Sequence, residues 1–193
     1  MVSALFSAGA MAAATIGTNG QSVNNDASQA TLNFSGKLTS SLCQVSTDDI
    51  NQDIQLGEIS KAALEASGRG PSHTFSVKLK NCDATVNAIT YAIRDTNGSN
   101  DNYLTNKSGD DFAKGVGVFI EDSSNQAITL NGAQHTYAVA NNGGQALPDQ
   151  EIPFAARIGV LEGTTGNIDN AKIMAGVIQA TAVMTIKATA AGA

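Results

Sequence analysis

Apolar residues stand at every second position through Ala30, Leu32, Phe34, Gly36 and Leu38, with Thr31, Asn33, Ser35 and Lys37 between them. That is the period of a β-strand with one buried face. The stretch follows a polar lead at residues 17–26 and precedes the first cysteine, Cys43. Short alternating segments separated by turn residues continue along the chain, which is the pattern of a sandwich of antiparallel strands. Residues 50–59 alternate at Ile54 and Leu56, and residues 61–66 suit one or two helical turns that Gly68 and Pro71 stop. Residues 73–79 form the cleanest strand, with Phe75, Val77 and Leu79 on one face and Cys82 close behind; residues 88–94 form the next. Residues 95–114, rich in Asn, Asp, Ser and Gly, are predicted as a long surface loop. Residues 116–121 and 126–130 flank 122–125 as a hairpin, residues 134–140 continue the sheet, and residues 141–144 break it. The last two strands are predicted at 151–161 and 176–188, and in the second Ala180, Ala182, Met184 and Ile186 share one face.

Composition narrows this picture. The 193 residues suit one well-buried domain plus a tail. A hydrophobic content of 42%, only 15% charged residues and 19 Gly point to an exported β-rich protein rather than a cytosolic helical one. The net charge of -6, with the 11 Lys and Arg scattered, argues against nucleic acid and against an anionic membrane surface. Residues 1–12 are a short apolar run ending in Ala10-Met11-Ala12, which fits a secretory signal peptide. No basic residue precedes the run, so the signal is read as truncated at its start; the alternative is an ordinary apolar N-terminus. The run falls short of the ~20 apolar residues of a spanning helix, so no membrane span is read. The two cysteines, Cys43 and Cys82, are consistent with one disulfide in an oxidising compartment. The alternative of free or metal-binding thiols lacks a second Cys or a His at ligand spacing.

No constellation for catalysis, metal or cofactor is read from the chain. The only histidines, His73 and His135, fall in predicted strands without acidic or Cys partners at a recurring spacing. Residues 95–101 resemble a calcium loop superficially, but the Gly comes too early and no Glu closes it, so a solvated turn is expected. Asp110 and Asp111 read as loop charge. Asn33, Asn97 and Asn106 each open an Asn-x-Ser triplet, a frequent chance match in a chain of this composition.

Phe34-Ser-Gly-Lys-Leu38, with Cys43 seven residues beyond Gly36, is followed in order by Gln55-Leu-Gly-Glu-Ile59 and Val77-Lys-Leu-Lys-Asn-Cys-Asp83. Gly117-Val-Phe-Ile-Glu-Asp122, Leu130-Asn-Gly132 and Ile152-Pro-Phe-Ala-Ala-Arg157 come next. From about Ala30 to Ala188 the chain resembles a pilin of the chaperone-usher class, of the type 1 fimbrial major subunit family. The resemblance implies an all-β, incomplete immunoglobulin-like sandwich, completed by a donor strand from a neighbouring subunit. It also implies three regions: the signal at 1–12, an N-terminal extension at 13–40 and a pilin domain at 41–193. The extension would fill a neighbour's groove with Ala30, Leu32, Phe34, Gly36 and Leu38. Ala180, Ala182, Met184 and Ile186 would belong to the acceptor groove, on the strand that first pairs with a chaperone. The implied partners are identical or homologous pilin subunits, a periplasmic chaperone and an outer-membrane usher. The implied role is that of a shaft subunit of a surface fimbria, exported through the periplasm and supporting adhesion, with no enzymatic activity. A minor adaptor or tip-associated subunit with receptor binding is the alternative. A free carbohydrate-binding or enzymatic sandwich has little support in a chain without Trp and with 5% aromatic residues. In two respects the chain departs from the family. The last strand lacks the family's penultimate aromatic residue, with Ala188 in its place, and the extension carries additional polar residues.

Overall fold

The structure is a computed structural model that describes residues 41–161 and 172–190, together with Leu32. The chain divides into two compact units, Met1–Thr39 and Ser40–Ala193, and the described strands all belong to the second. The predicted strand at 30–38 lies outside the described residues, Leu32 excepted, as does the predicted signal at 1–12.

β1 (Gln44–Val45) is two residues long and leads into a 3-10 turn, Thr47–Asp49. α1 (Lys61–Ser67) starts where the Ser60 hydroxyl accepts the Ala63 N–H at 3.2 Å. It stops at Gly68, whose φ of 72° lets its own N–H reach Leu64 O at 2.7 Å. The long strands follow from alternation. β2 (His73–Lys80) and β3 (Val86–Asp95) turn Phe75, Val77, Leu79, Ile89, Tyr91 and Ile93 toward one core. β4 (Leu104–Thr105) is short, and β5 (Val116–Glu121) sends Val118 and Ile120 into the same core. β6 (His135–Tyr137) and the two-residue strands β7 (Asn141–Asn142) and β8 (Gln145–Ala146) precede β9 (Gln150–Val160) and β10 (Ala182–Ala190).

These strands make a five-stranded sheet in the order β1-β2-β9-β5-β4, a three-stranded sheet in the order β10-β3-β6, and the β7-β8 pair. All named pairings are antiparallel. β9 is central to the larger sheet, and its Ile152, Phe154 and Ala156 meet residues of β3 and β10 in one core. Phe154 stacks on Phe75 at 5.4 Å and meets Tyr91 of the opposite sheet edge-on at 5.3 Å. Such pairs stabilise by about 1 kcal/mol beyond burial. The Cys43–Cys82 disulfide is formed and lies in this core, joining the start of β1 to the end of β2.

Several predicted segments are corrected. Residues 50–59 make no strand, and Ile50 is exposed, because alternation needs a neighbouring strand to become a ladder and none among the described residues pairs with this stretch. Residues 95–114 lie largely at the surface, as expected, but not as one free loop: Asp95, Leu104, Asn106 and Ala113 are buried, and β4 pairs with β5. The first residue of the expected solvated turn is therefore an interior carboxylate. Residues 141–144 do leave the main sheets, and with Gln145 and Ala146 they form the separate β7-β8 hairpin, its tight turn made by Gly143 and Gly144 at φ 61° and 82°. The return arm of the 116–130 hairpin makes a single bridge, Glu121 to Ala127, while still burying Ile128 and Leu130. The last strand runs from Ala182 to Ala190 rather than from 176 to 188, for a reason given by its hydrogen bonds. Val177 exchanges backbone bonds with Asp111 and Ala113, and Gln179 and Thr181 accept from Lys107 and Thr96, so this approach is bound to a loop.

Candidate functional site

β10 is the edge of the three-stranded sheet. It pairs with β3 from Ala182 opposite Asp95 to Ala190 opposite Val86, and no named strand pairs with its other side. Its core-facing row, Met184, Ile186 and Ala188, packs on the shared core together with Ile178 and Ala180, yet all five remain only partly buried. Beside them Ile89 and Ile93 of β3 are 0% and 3% exposed. The difference marks the side of the core that β10 leaves uncovered. Unpaired N–H and C=O groups along a strand edge are a template for another strand. Of the four positions expected here, Ala180, Met184 and Ile186 fall in this row, whereas Ala182 is exposed and outside the cluster.

Among the described residues, 53–59 have no strand partner either. Leu56 from this stretch and Ile178 from the approach to β10 each pack against both core clusters, the larger one and that of Leu64, Ala113, Val116, Ile158, Val160 and Ile173. Of the five donor positions read from the sequence, Ala30, Phe34, Gly36 and Leu38 lie outside the described residues, and Leu32 is exposed.

Buried polar side chains, which the sequence reading missed, hold the loops around this edge. Asn106 donates to Ala113 O at 2.8 Å and Val177 O at 3.0 Å, and accepts the Gln179 N–H at 2.7 Å. Gln150 donates to Ala140 O and Leu147 O at 2.8 and 2.9 Å and accepts the Ala140 N–H at 2.8 Å. Asp95 accepts N–H groups of Asn97 and Thr105 at 3.0 and 2.9 Å. The Asp-x-Asn spacing at 95–97 was the one local signal for such a turn. On the outer face of β5, buried Glu121 is bonded to Arg157 and lies 3.8 Å from Arg69.

Among the described residues no group of three or more His, Cys, Asp or Glu is placed to hold a metal ion. His135 stacks on Tyr91 and its Nε2 lies 2.7 Å from Thr129 O. Burial, with the charge of Asp122 adding to it, pushes the Tyr91 phenol above its ordinary value. The Thr85 hydroxyl and then its N–H hold the Asp83 carboxyl below its ordinary value. No described helix is long and apolar enough to cross a membrane.

A family model described as "Fimbrial protein" matches residues 32–188. The chain belongs to the fimbrial protein family. Fimbrial protein 987P of Escherichia coli is 47% identical over 190 residues, which cover 97% of this chain and 92% of that protein. The type-1 fimbrial protein A chain of Escherichia coli K12 is 31% identical over 78% of this chain and 81% of its own length. Among solved structures, a subunit of a chaperone-usher pilus has a TM-score of 0.65 at 16% identity, over 84% of this chain and 96% of that one. The P pilus rod subunit PapA has a TM-score of 0.60 at 16% identity, over 77% and 99%. These two show the fold of this fimbrial protein: all-β and immunoglobulin-like, without the last strand. The family is one of structural subunits of extracellular fimbriae and not an enzyme family.

Proposed function

We propose that this chain is the repeating shaft subunit of an adhesive fimbria, joined to its neighbours by donated strands. The observation that carries the reading is β10: nine residues with an edge that no described strand pairs with and a half-covered apolar row. Ala30 to Leu38 is also nine residues long and presents Ala30, Leu32, Phe34, Gly36 and Leu38 on one face. At about 3.3 Å per residue, strand and edge are each about 30 Å long. The donated strand supplies the missing backbone partners and covers Met184, Ile186 and Ala188, while Gly36 permits close backbone approach. Before assembly the same edge needs a temporary partner, a role that suits a periplasmic chaperone, with exchange for the next subunit's strand at an outer-membrane usher. Disulfide formation agrees with passage through an oxidising compartment.

Two variants test this. Leu32→Asp/Phe34→Asp damages the donor, and Ile186→Asp damages the acceptor. Electron microscopy of cells carrying either one is expected to show no filaments. Mixed together, the purified variants are expected to stop at dimers, because each retains one working end. Filaments of ordinary length from either variant alone would overturn the reading.

A further inference from the structure

The two sheets treat their edges differently. Among the described residues nothing pairs with the outer side of β10, nine residues long, but each edge of the five-stranded sheet carries side-chain hydrogen bonds on its backbone. Along β2, Lys78 C=O accepts the Ser46 N–H at 2.8 Å, where the β1 pairing ends. Beyond that point the ladder positions are taken by side chains. The Lys78 N–H donates to the Asp49 carboxylate at 2.6 Å, and the Gln52 amide donates to Ser76 C=O at 2.8 Å. Residues two apart on a strand present their backbone groups to the same side, so Asp49 and Gln52 occupy positions that an added strand would need.

The far edge repeats the device. The Thr105 N–H of β4 donates to the Asp95 carboxylate at 2.9 Å, and the Asn97 amide donates to Thr105 C=O at 3.1 Å. In both places a carboxylate takes the strand's N–H and a carboxamide serves its C=O. What remains of the β2 edge is the stub at Ser72–Phe75. It borders a cleft lined by Asp48, Asp49 and Asp53, with no Lys or Arg among the lining residues. Charge beside a short edge discourages strand addition.

We propose that Asp49 and Gln52 at β2, like Asp95 and Asn97 at β4, are edge caps that confine strand addition to β10. The proposal rests on the reading of β10 as the acceptor of a donated strand. The caps specify where the strand adds; they are positioning residues and make no contact with it.

The test uses the refolded full chain carrying a photo-reactive group in place of the Leu32 side chain, with cross-links mapped by mass spectrometry within and between chains. The wild-type background is expected to give cross-links to β10 and none to residues 72–78. In Asp49→Ala/Gln52→Ala, cross-links to residues 72–78 are expected to rise about tenfold above background, in line with two lost hydrogen bonds. Asp49→Asn keeps an acceptor oxygen and is expected to behave as wild type, whereas a general loss of stability would not spare it selectively. Gln52→Ala alone, read in the same way, covers the case in which the double variant does not fold. A folded double variant, or a folded Gln52→Ala, with cross-links confined to β10 would overturn the caps and leave the function standing. A wild-type chain that gives none at β10 would overturn the strand-donation reading itself.

Discussion

Asn106 binds Val177 C=O and Gln179 N–H, which lie 71 and 73 residues further along the chain. Nothing local announces this, since Asn106 reads in the sequence as a loop residue in an Asn-x-Ser triplet. Its partners are backbone groups, and backbone groups leave no trace in residue identity. The same holds for Gln150, so these two polar clamps were invisible to pattern reading, whereas the apolar residues of the core were not. In Asn106→Ala the buried carbonyls and the Gln179 N–H lose their partner, and stability is expected to fall by about 2 kcal/mol. Urea unfolding checks this, and faster exchange of the Gln179 amide locates it. Tyr91 gives an expectation in pH. Its phenol is raised above the ordinary value by burial first and by Asp122 second, so folding favours the protonated form. The associated stability is complete below pH ~10 and is lost as pH rises through the folded pKa. Unfolding free energies measured from pH 8 to 11 are expected to fall more steeply for wild type than for Tyr91→Phe.

At the scale of elements, β2, β3, β5 and β9 were legible because each carries its own alternation into a face that is buried. Residues 50–59 carry alternation as well, but a strand is a relation between two chains of backbone, and that stretch has no partner among the described residues. The start of β10 was misplaced for a related reason. Residues 176–181 have strand-like composition, yet their backbone groups bind the 96–113 loop. Glycine hid another contact. Gly159 of β9 faces Phe119 of β5, and a Cβ at position 159 would stand 2.5 Å from the ring's Cε2. The Cδ2–Cε2 edge of the ring fills the space a Cβ would need, and the Arg69 guanidinium lies 5.9 Å from the ring's centroid. Gly159→Ala must therefore displace the ring and is expected to destabilise by about 1–3 kcal/mol. The ring is near the surface, so near-ultraviolet circular dichroism should register its displacement alongside the lower denaturation midpoint.

At the scale of the whole described domain, a five-stranded sheet faces a three-stranded one in which β10 is the last described strand. The candidate site was legible in part, because the alternation of Met184 and Ile186 could be read directly. The edge position of β10 among the described strands could not be read, since it depends on which strands pair with it. The Cys43–Cys82 bond also acts at this scale. Opening it in Cys43→Ser/Cys82→Ser is expected to cost about 4 kcal/mol of stability in the chain-entropy account of a loop of this length, measured by denaturant unfolding under oxidising conditions.

The position of that bond matters for a filament under flow. If subunits are linked through their N-terminal strands, tension arrives along residue 40 and reaches Cys43 within three residues. The next structure in its path, β1, is held to β2 by two residue pairs, Gln44 with Lys80 and Val45 with Leu79, and would peel under modest force. The disulfide diverts the pull past this weak point to Cys82, just beyond β2, which is paired with β9 at seven positions. Single-molecule stretching of chains gripped at residue 40 is expected to require more force in the oxidised protein than in the reduced one. A crosslink that looks like a folding staple in an isolated subunit thus becomes, in a stretched fibre, a tether that decides where the subunit yields.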